Sequence, residues 1–167
     1  MTMRSGSGTI PFMTLPYRPN VCMLVFNSRG ELFLGQRRGE PTTWQFPQGG
    51  VEAEHTLEEN VLRELEEELG AARRFFTVVQ RLKATHTYDF VVPRVYGSAT
   101  YRGQTQTFFL VEFQGDDSLI NLATPEPEFM GWGWYSPAAV RVKAEPKRLS
   151  GYLAPLAEFE AYRAAYR

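Results

Sequence analysis

An unbroken apolar run over residues 21–26 and a short stretch over 31–35 are followed by stretches over 75–82, 95–101 and 105–113 that are rich in β-branched and aromatic residues. Such runs predict strands. Asn27-Ser28-Arg29-Gly30 has turn composition and predicts a hairpin between the first two, and Arg102-Gly103 predicts a turn between the last two. Residues 39–50 are broken by Pro41 and Pro47 and closed by Gly49-Gly50, so a loop carrying Trp44 and Phe46 is expected there.

Residues 57–69 change to helical spacing. Thr56 and Glu59 have the offset of a capping box, and Gly70 stands where a left-handed C-terminal residue is wanted. At ~100° per residue, Val61, Leu62, Leu65 and Leu69 share one stripe. Glu64, Glu67 and Glu68 fall in a neighbouring arc about 100° wide, with Glu68 at the edge of the apolar stripe and Glu66 turned to water. Further on, Ser136-Pro137 predicts a helix start, and another helix is expected from Pro155 with Leu156, Phe159, Tyr162 and Tyr166 on its buried face. Strands mixed with helices predict an α/β chain, with a mixed sheet packed between helices.

The chain has 167 residues, a formal net charge of −1 and one cysteine, Cys22, inside the first apolar run. A single domain over 17–167 is expected, after a flexible tail over 1–16. Disulfides within the chain and cysteine metal clusters are excluded. With no net positive charge, a polyanionic substrate needs a local arrangement, and no DNA partner is indicated. No secretory or membrane-spanning segment is legible, so a soluble cytoplasmic monomer or homodimer is expected.

Carboxylates at i, i+3 and i+4 repel and raise one another's pKa unless a positive group joins them. Arg63 offsets one of them. Oxygen ligands converging on one patch suit Mg²⁺ or Mn²⁺, which also bind phosphates. A glutamate-rich helical segment is more often a solvated face, and the surrounding residues decide against that here. Gly49, Arg63, Glu64, Leu65, Glu67, Glu68 and Gly70 match the Nudix box, G-x5-E-x7-R-E-U-x-E-E-x-G-U, except at its first glutamate and, with Ala71, its final aliphatic position.

Residues 17–21 (Tyr-Arg-Pro-Asn-Val), 44–50 (Trp-Gln-Phe-Pro-Gln-Gly-Gly), Tyr101-Arg102-Gly103-Gln104, and Glu128-Phe129 with Trp132 and Trp134 extend the likeness. Over residues 17–162 the chain resembles the bacterial RNA pyrophosphohydrolase and asymmetric diadenosine tetraphosphate hydrolase branch of the Nudix family. The resemblance implies an α/β/α sandwich, with Glu64, Glu67 and Glu68 as ligands of Mg²⁺ or Mn²⁺. It also implies Arg63 as the residue orienting them, and Glu128 as a further carboxylate for metal or base, Glu64 and Glu128 both remaining candidates for general base. Its substrate is expected to be a dinucleoside polyphosphate or the 5′-triphosphate end of RNA. A nucleotide-pool sanitising pyrophosphohydrolase and a nucleotide-binding module without catalysis are the alternatives.

His55 stands where the family has glutamate, and His55 or the adjacent Glu54 is a candidate replacement. Thr107 stands where the branch has a lysine expected to meet phosphate. Arg37, Lys83, Arg38, Lys147 and Arg148 are candidate sources of that charge. Gly49 and Gly50 are expected at the substrate, and Tyr88, Phe90 and Tyr101 are candidates to stack on a base.

Overall fold

The run 21–26 is the middle of the molecule. In a computed structural model that describes residues 11–166, β1 (Tyr17–Phe26) is buried on both faces from Asn20 onward. It pairs in parallel with β6 (Ala99–Phe113), from Tyr17 opposite Gly103 to Phe26 opposite Glu112. The remaining elements are β2 (Leu32–Arg37), β3 (Trp44–Gln45), β4 (Gln48–Gly50), α1 (Leu57–Leu69), β5 (Phe76–Tyr96), β7 (Phe129–Tyr135), α2 (Pro137–Lys143) and α3 (Pro146–Tyr166). The sheet runs β3-β2-β1-β6-β5, with β4 also on β1 and β7 on β2.

Each face of this mixed sheet carries its own core. Val21, Met23, Val25, Phe109 and Val111 meet Val61, Leu65 and Leu69 of α1. Cys22, Leu24, Phe26, Phe108 and Leu110 meet Val140 of α2 and Tyr152, Leu156 and Phe159 of α3. The result is the expected α/β/α sandwich. A strand covered on both sides reads as a continuous apolar run rather than an alternation, and residues 21–26 are such a run.

α1 has the expected ends. The Thr56 hydroxyl accepts from the Glu59 N–H, the Glu59 carboxylate accepts from the Thr56 N–H, and Gly70 closes the helix at φ 71°. Ser136 caps α2 through the Ala139 N–H.

The expected hairpin of β1 and β2 forms, paired at Phe26 and Leu32, while β4 lies beside residues 20–22 of β1 and β2 turns to β3 and β7. Four expectations change. The segment 39–50, expected as a loop, holds the two short strands β3 and β4. The turn between β5 and β6 falls at Gly97-Ser98 rather than Arg102-Gly103. Gly103 lies inside β6, where a Cβ would stand 1.9 Å from the Tyr88 carbonyl oxygen. Its glycine serves a close approach of two backbones, not a reversal. α3 starts at Pro146, with Pro155 in its interior. Burial of Tyr152, Pro155, Leu156 and Phe159 holds the helix through the backbone hydrogen bond that proline cannot make. Tyr166 is exposed and leans only on Tyr162 among the rings described, so it is not part of the buried face.

Of the tail expected over 1–16, residues 1–10 lie outside the described residues. Residues 12–14 form a 3-10 turn, and the Arg102 backbone N–H donates to the Pro16 carbonyl.

Candidate functional site

The parallel register of β1 and β6 sets a row of polar side chains at the open end of the sheet. Arg18 faces Gln104, and Asn20 faces Gln106. The Arg18 guanidinium and the Asn20 amide both donate to Gln104 Oε1, at 3.1 and 3.3 Å. Gln106 donates to Asn20 and to Gln48 of β4, at 3.1 and 2.6 Å, and Gln104 donates to the Tyr88 hydroxyl at 2.5 Å. These bonds fix the floor of a cleft of ≈ 630 Å³.

Gly49, Gly50, Glu64, Glu67 and Glu68 line this cleft, together with Arg18, Arg37, Tyr88, Arg94, Tyr96, Glu126, Glu128 and Arg148. The α1 stripe explains the carboxylate positions: Val61, Leu65 and Leu69 are fully buried, so the adjoining arc must meet the edge of β4. Glu66 lies outside the cleft and accepts from the Arg73 backbone and guanidinium.

Arg63 organises the cluster. One terminal nitrogen donates to Glu64 Oε1 at 2.9 Å, and the other donates to the Gly50 carbonyl and Asn60 Oδ1 at 3.1 and 2.8 Å. Glu52 and Glu67 each lie 3.6 Å from it. Burial pushes the Glu64 carboxyl up to about 7, aided by the Glu67 charge and opposed by Arg63 and Arg18. The Glu68 carboxyl is held well above its ordinary range by burial, then by the charges of Glu64 and Glu128, against a backbone hydrogen bond from Gln48. Part of the Glu68 residue remains in contact with solvent, but its Oε2 is enclosed and has no hydrogen-bond partner.

A buried carboxylate oxygen without a donor, beside three further carboxylates, is a donor set that fits a hard divalent cation. In the side-chain positions found, with Glu64 turned to Arg63, no group of three acidic, histidine or cysteine side chains among the described residues stands ready to hold an ion.

Other expected residues fall elsewhere. His55 is half-exposed and faces Glu52 and Glu59 at 3.6 and 3.3 Å, on the capping side of α1, and neither it nor the exposed Glu54 lines the cleft. The capping box anchors this segment to the first turn of α1, which turns both side chains away. Lys83 is exposed outside the cleft, its backbone N–H donating to Glu158 of α3. Tyr101 stands one ring behind the lining, 6.2 Å from Tyr96. Positive charge in the cleft comes from Arg37 and Arg148, both expected, and from Arg18 and Arg94. Glu126, Arg94 and Tyr96 carried no sequence signal of their own. Arg18 sat within a recognised motif, but its role became visible only through the strand register.

Comparison with known proteins agrees with this geometry. Residues 16–155 match the model of the NUDIX domain. The chain is 41% identical over 152 residues to an RNA pyrophosphohydrolase of Roseobacter denitrificans, covering 89% of this chain and 94% of that protein. It is 33% identical to the RNA pyrophosphohydrolase of Rickettsia prowazekii, over 95% of this chain and 98% of that one. Among solved structures, a C. elegans Ap4A hydrolase in a binary complex superposes with a TM-score of 0.61 at 17% identity, over 88% of this chain and 99% of that one. The MutT protein of Methanosarcina mazei superposes with a TM-score of 0.62 at 20% identity, over 92% and 99%. Both superpositions speak to the fold alone. With the box on α1, the sandwich around it and the family match over most of its length, the chain belongs to the Nudix family of hydrolases.

Proposed function

We propose that this Nudix hydrolase is a divalent-cation-dependent pyrophosphohydrolase acting on 5′-polyphosphorylated nucleotides, with the triphosphorylated 5′ end of RNA as its substrate. The observation that carries the reading is the enclosed Oε2 of Glu68, without a hydrogen-bond partner and set among Glu64, Glu67 and Glu128 in a cleft that also holds Arg18, Arg37 and Arg148. Acidic and basic groups in one cleft suit a phosphate chain and its counter-cation. The names of the curated relatives favour RNA, and a dinucleoside polyphosphate presents the same anhydride chemistry.

Glu64, Glu67, Glu68 and Glu128 are the residues that would hold Mg²⁺ or Mn²⁺. When bound, the ion supplies neutralisation of the phosphate oxygens and a lower pKa for water. Arg63, itself anchored on the Gly50 carbonyl and Asn60, holds the Glu64 carboxylate at the cleft, and Glu64 or Glu128 accepts the proton of the attacking water. Arg18 and Arg148 supply hydrogen-bond donors for phosphate oxygens from the floor of the cleft, and the Tyr88 ring offers a face to the first base. Hydrolysis then adds one water across an anhydride, leaving a 5′-monophosphate and pyrophosphate.

The test is product analysis with Mg²⁺ and with Mn²⁺ on triphosphorylated RNA, diadenosine tetraphosphate and nucleoside triphosphates. The expected result is pyrophosphate release from RNA, leaving a 5′-monophosphate. Tight binding of nucleotides without turnover of any substrate would replace the reading with that of a binding module.

A further inference from the structure

Beyond Tyr88, the outer half of the β5–β6 hairpin carries rings that hydrolysis at the cleft floor does not use. Tyr88 and Phe90 lie 6.0 Å apart between centroids, Phe90 and Tyr96 6.3 Å, and Tyr96 and Tyr101 6.2 Å. The Arg94 guanidinium lies 4.4 Å from the Phe90 ring, and Arg18 lies 3.8 Å from Tyr96. Arg94 stands directly across the hairpin from Tyr101, after an irregular register that begins at Asp89. Tyr88, Arg94 and Tyr96 also line the cleft, so the run is continuous with the hydrolytic site.

The charge along this hairpin is one-sided. Asp89 is held by two hydrogen bonds from Arg102, at 3.2 and 3.1 Å. Arg94 is exposed and makes no ion pair among the described residues. Phe90 is buried and anchors the run, but core packing does not account for Tyr96 and Tyr101, which are only half-buried beside the solvent-facing Val91 and Val95. Open aromatic faces next to an uncompensated guanidinium are what a single strand of nucleic acid engages, base on ring and phosphate on cation.

We propose that Arg94, Tyr96 and Tyr101 form a track for the nucleotides that follow the 5′-terminal one in single-stranded RNA, with Arg94 at a backbone phosphate and a tyrosine face against a base. The track rests on the reading of this cleft as a hydrolase of RNA 5′ ends, and it makes the enzyme sensitive to what lies beyond the triphosphate. A chain of net charge −1 has no general attraction for RNA, so this local device is how an oligonucleotide gains over a mononucleotide.

The experiment compares kcat/KM for a nucleoside triphosphate and for a triphosphorylated pentanucleotide, in the natural protein, Arg94→Gln and Arg94→Lys. It also measures the salt dependence of binding of a 5′-monophosphorylated pentanucleotide. In the natural protein the pentanucleotide is expected to be favoured about fivefold or more. Arg94→Gln should erase most of that ratio, Arg94→Lys should restore part of it, and the log-log salt slope should flatten by about 0.7 in Arg94→Gln, as for one lost phosphate contact. An unchanged ratio and slope in Arg94→Gln, or equal turnover of mononucleotide and pentanucleotide by the natural protein, overturns the track while leaving the hydrolase reading intact. Failure of the natural protein to bind or cleave either triphosphate overturns both.

Discussion

Gly49 and Glu64 occupy nearly the same space: a Cβ on Gly49 would stand 2.0 Å from the Glu64 carboxyl carbon. The side chain is absent at residue 49 because β4 must pass directly against a carboxylate of α1. Gly49→Ala is therefore expected to displace Glu64 from its hydrogen bond with Arg63. A misplacement of that size costs on the order of 10²-fold in kcat/KM, measurable by steady-state hydrolysis. Turnover within a factor of two of the natural enzyme would show that Glu64 need not sit there.

Glu68 carries an enclosed carboxylate close to the charges of Glu64 and Glu128. Glu68→Gln keeps the shape and removes the charge. Mn²⁺ affinity, followed by calorimetry, should weaken markedly, and turnover should fall about 10²-fold or more. In chelator at mildly alkaline pH, the same change should raise Tm, since a buried like charge is gone. A variant with natural metal affinity would remove Glu68 from the cation site.

The pH dependence of stability has a definite sign. Glu64 has an ordinary value of 4.5 and is raised to about 7 in the folded chain, chiefly by burial. The folded state therefore holds that proton more tightly. This contribution is complete below pH 4.5 and is lost as pH rises through about 7. The exposed carboxylates Glu66, Asp89 and Asp116 are lowered by their hydrogen bonds and act in the opposite sense in acid, so the comparison is made with Glu64→Gln. In chelator, the Tm of the natural protein should drop relative to that variant between about pH 5 and pH 8. Parallel Tm curves would contradict the buried state of Glu64. Mn²⁺ binding near pH 6 should also release protons, read from calorimetry in buffers of different ionisation enthalpy.

His55 stands where the family has glutamate, but its imidazole lies between Glu52 and Glu59, outside the cleft. Restoring the carboxylate with His55→Glu would place three acids together on a solvated surface. The expected cost is about 0.5 kcal/mol, a drop of roughly 1–2 °C in Tm, with less than a twofold change in turnover at saturating Mg²⁺. A severalfold gain in turnover would show that residue 55 reaches the cleft in the working enzyme.

The sequence by itself determined what depends on neighbours a few residues apart. The 57–69 helix was legible with both ends, because a capping box and a left-handed glycine are local bonds. The ridge formed by Glu64, Glu67 and Glu68 was legible because helical geometry alone sets which side chains share a face. Only the tertiary structure decided which distant groups meet that ridge. Arg18 and Gln104 are 86 residues apart and join through a parallel register that no local pattern encodes. The turn at Gly97-Ser98 was obscured by Gly103, whose missing side chain serves contact with Tyr88 rather than a reversal. Arg94 and Tyr96 enter the cleft because the hairpin runs past the sheet, while His55 and Lys83 fall outside it. Charge and ring alone do not say where a strand carries them; the pairing partner does.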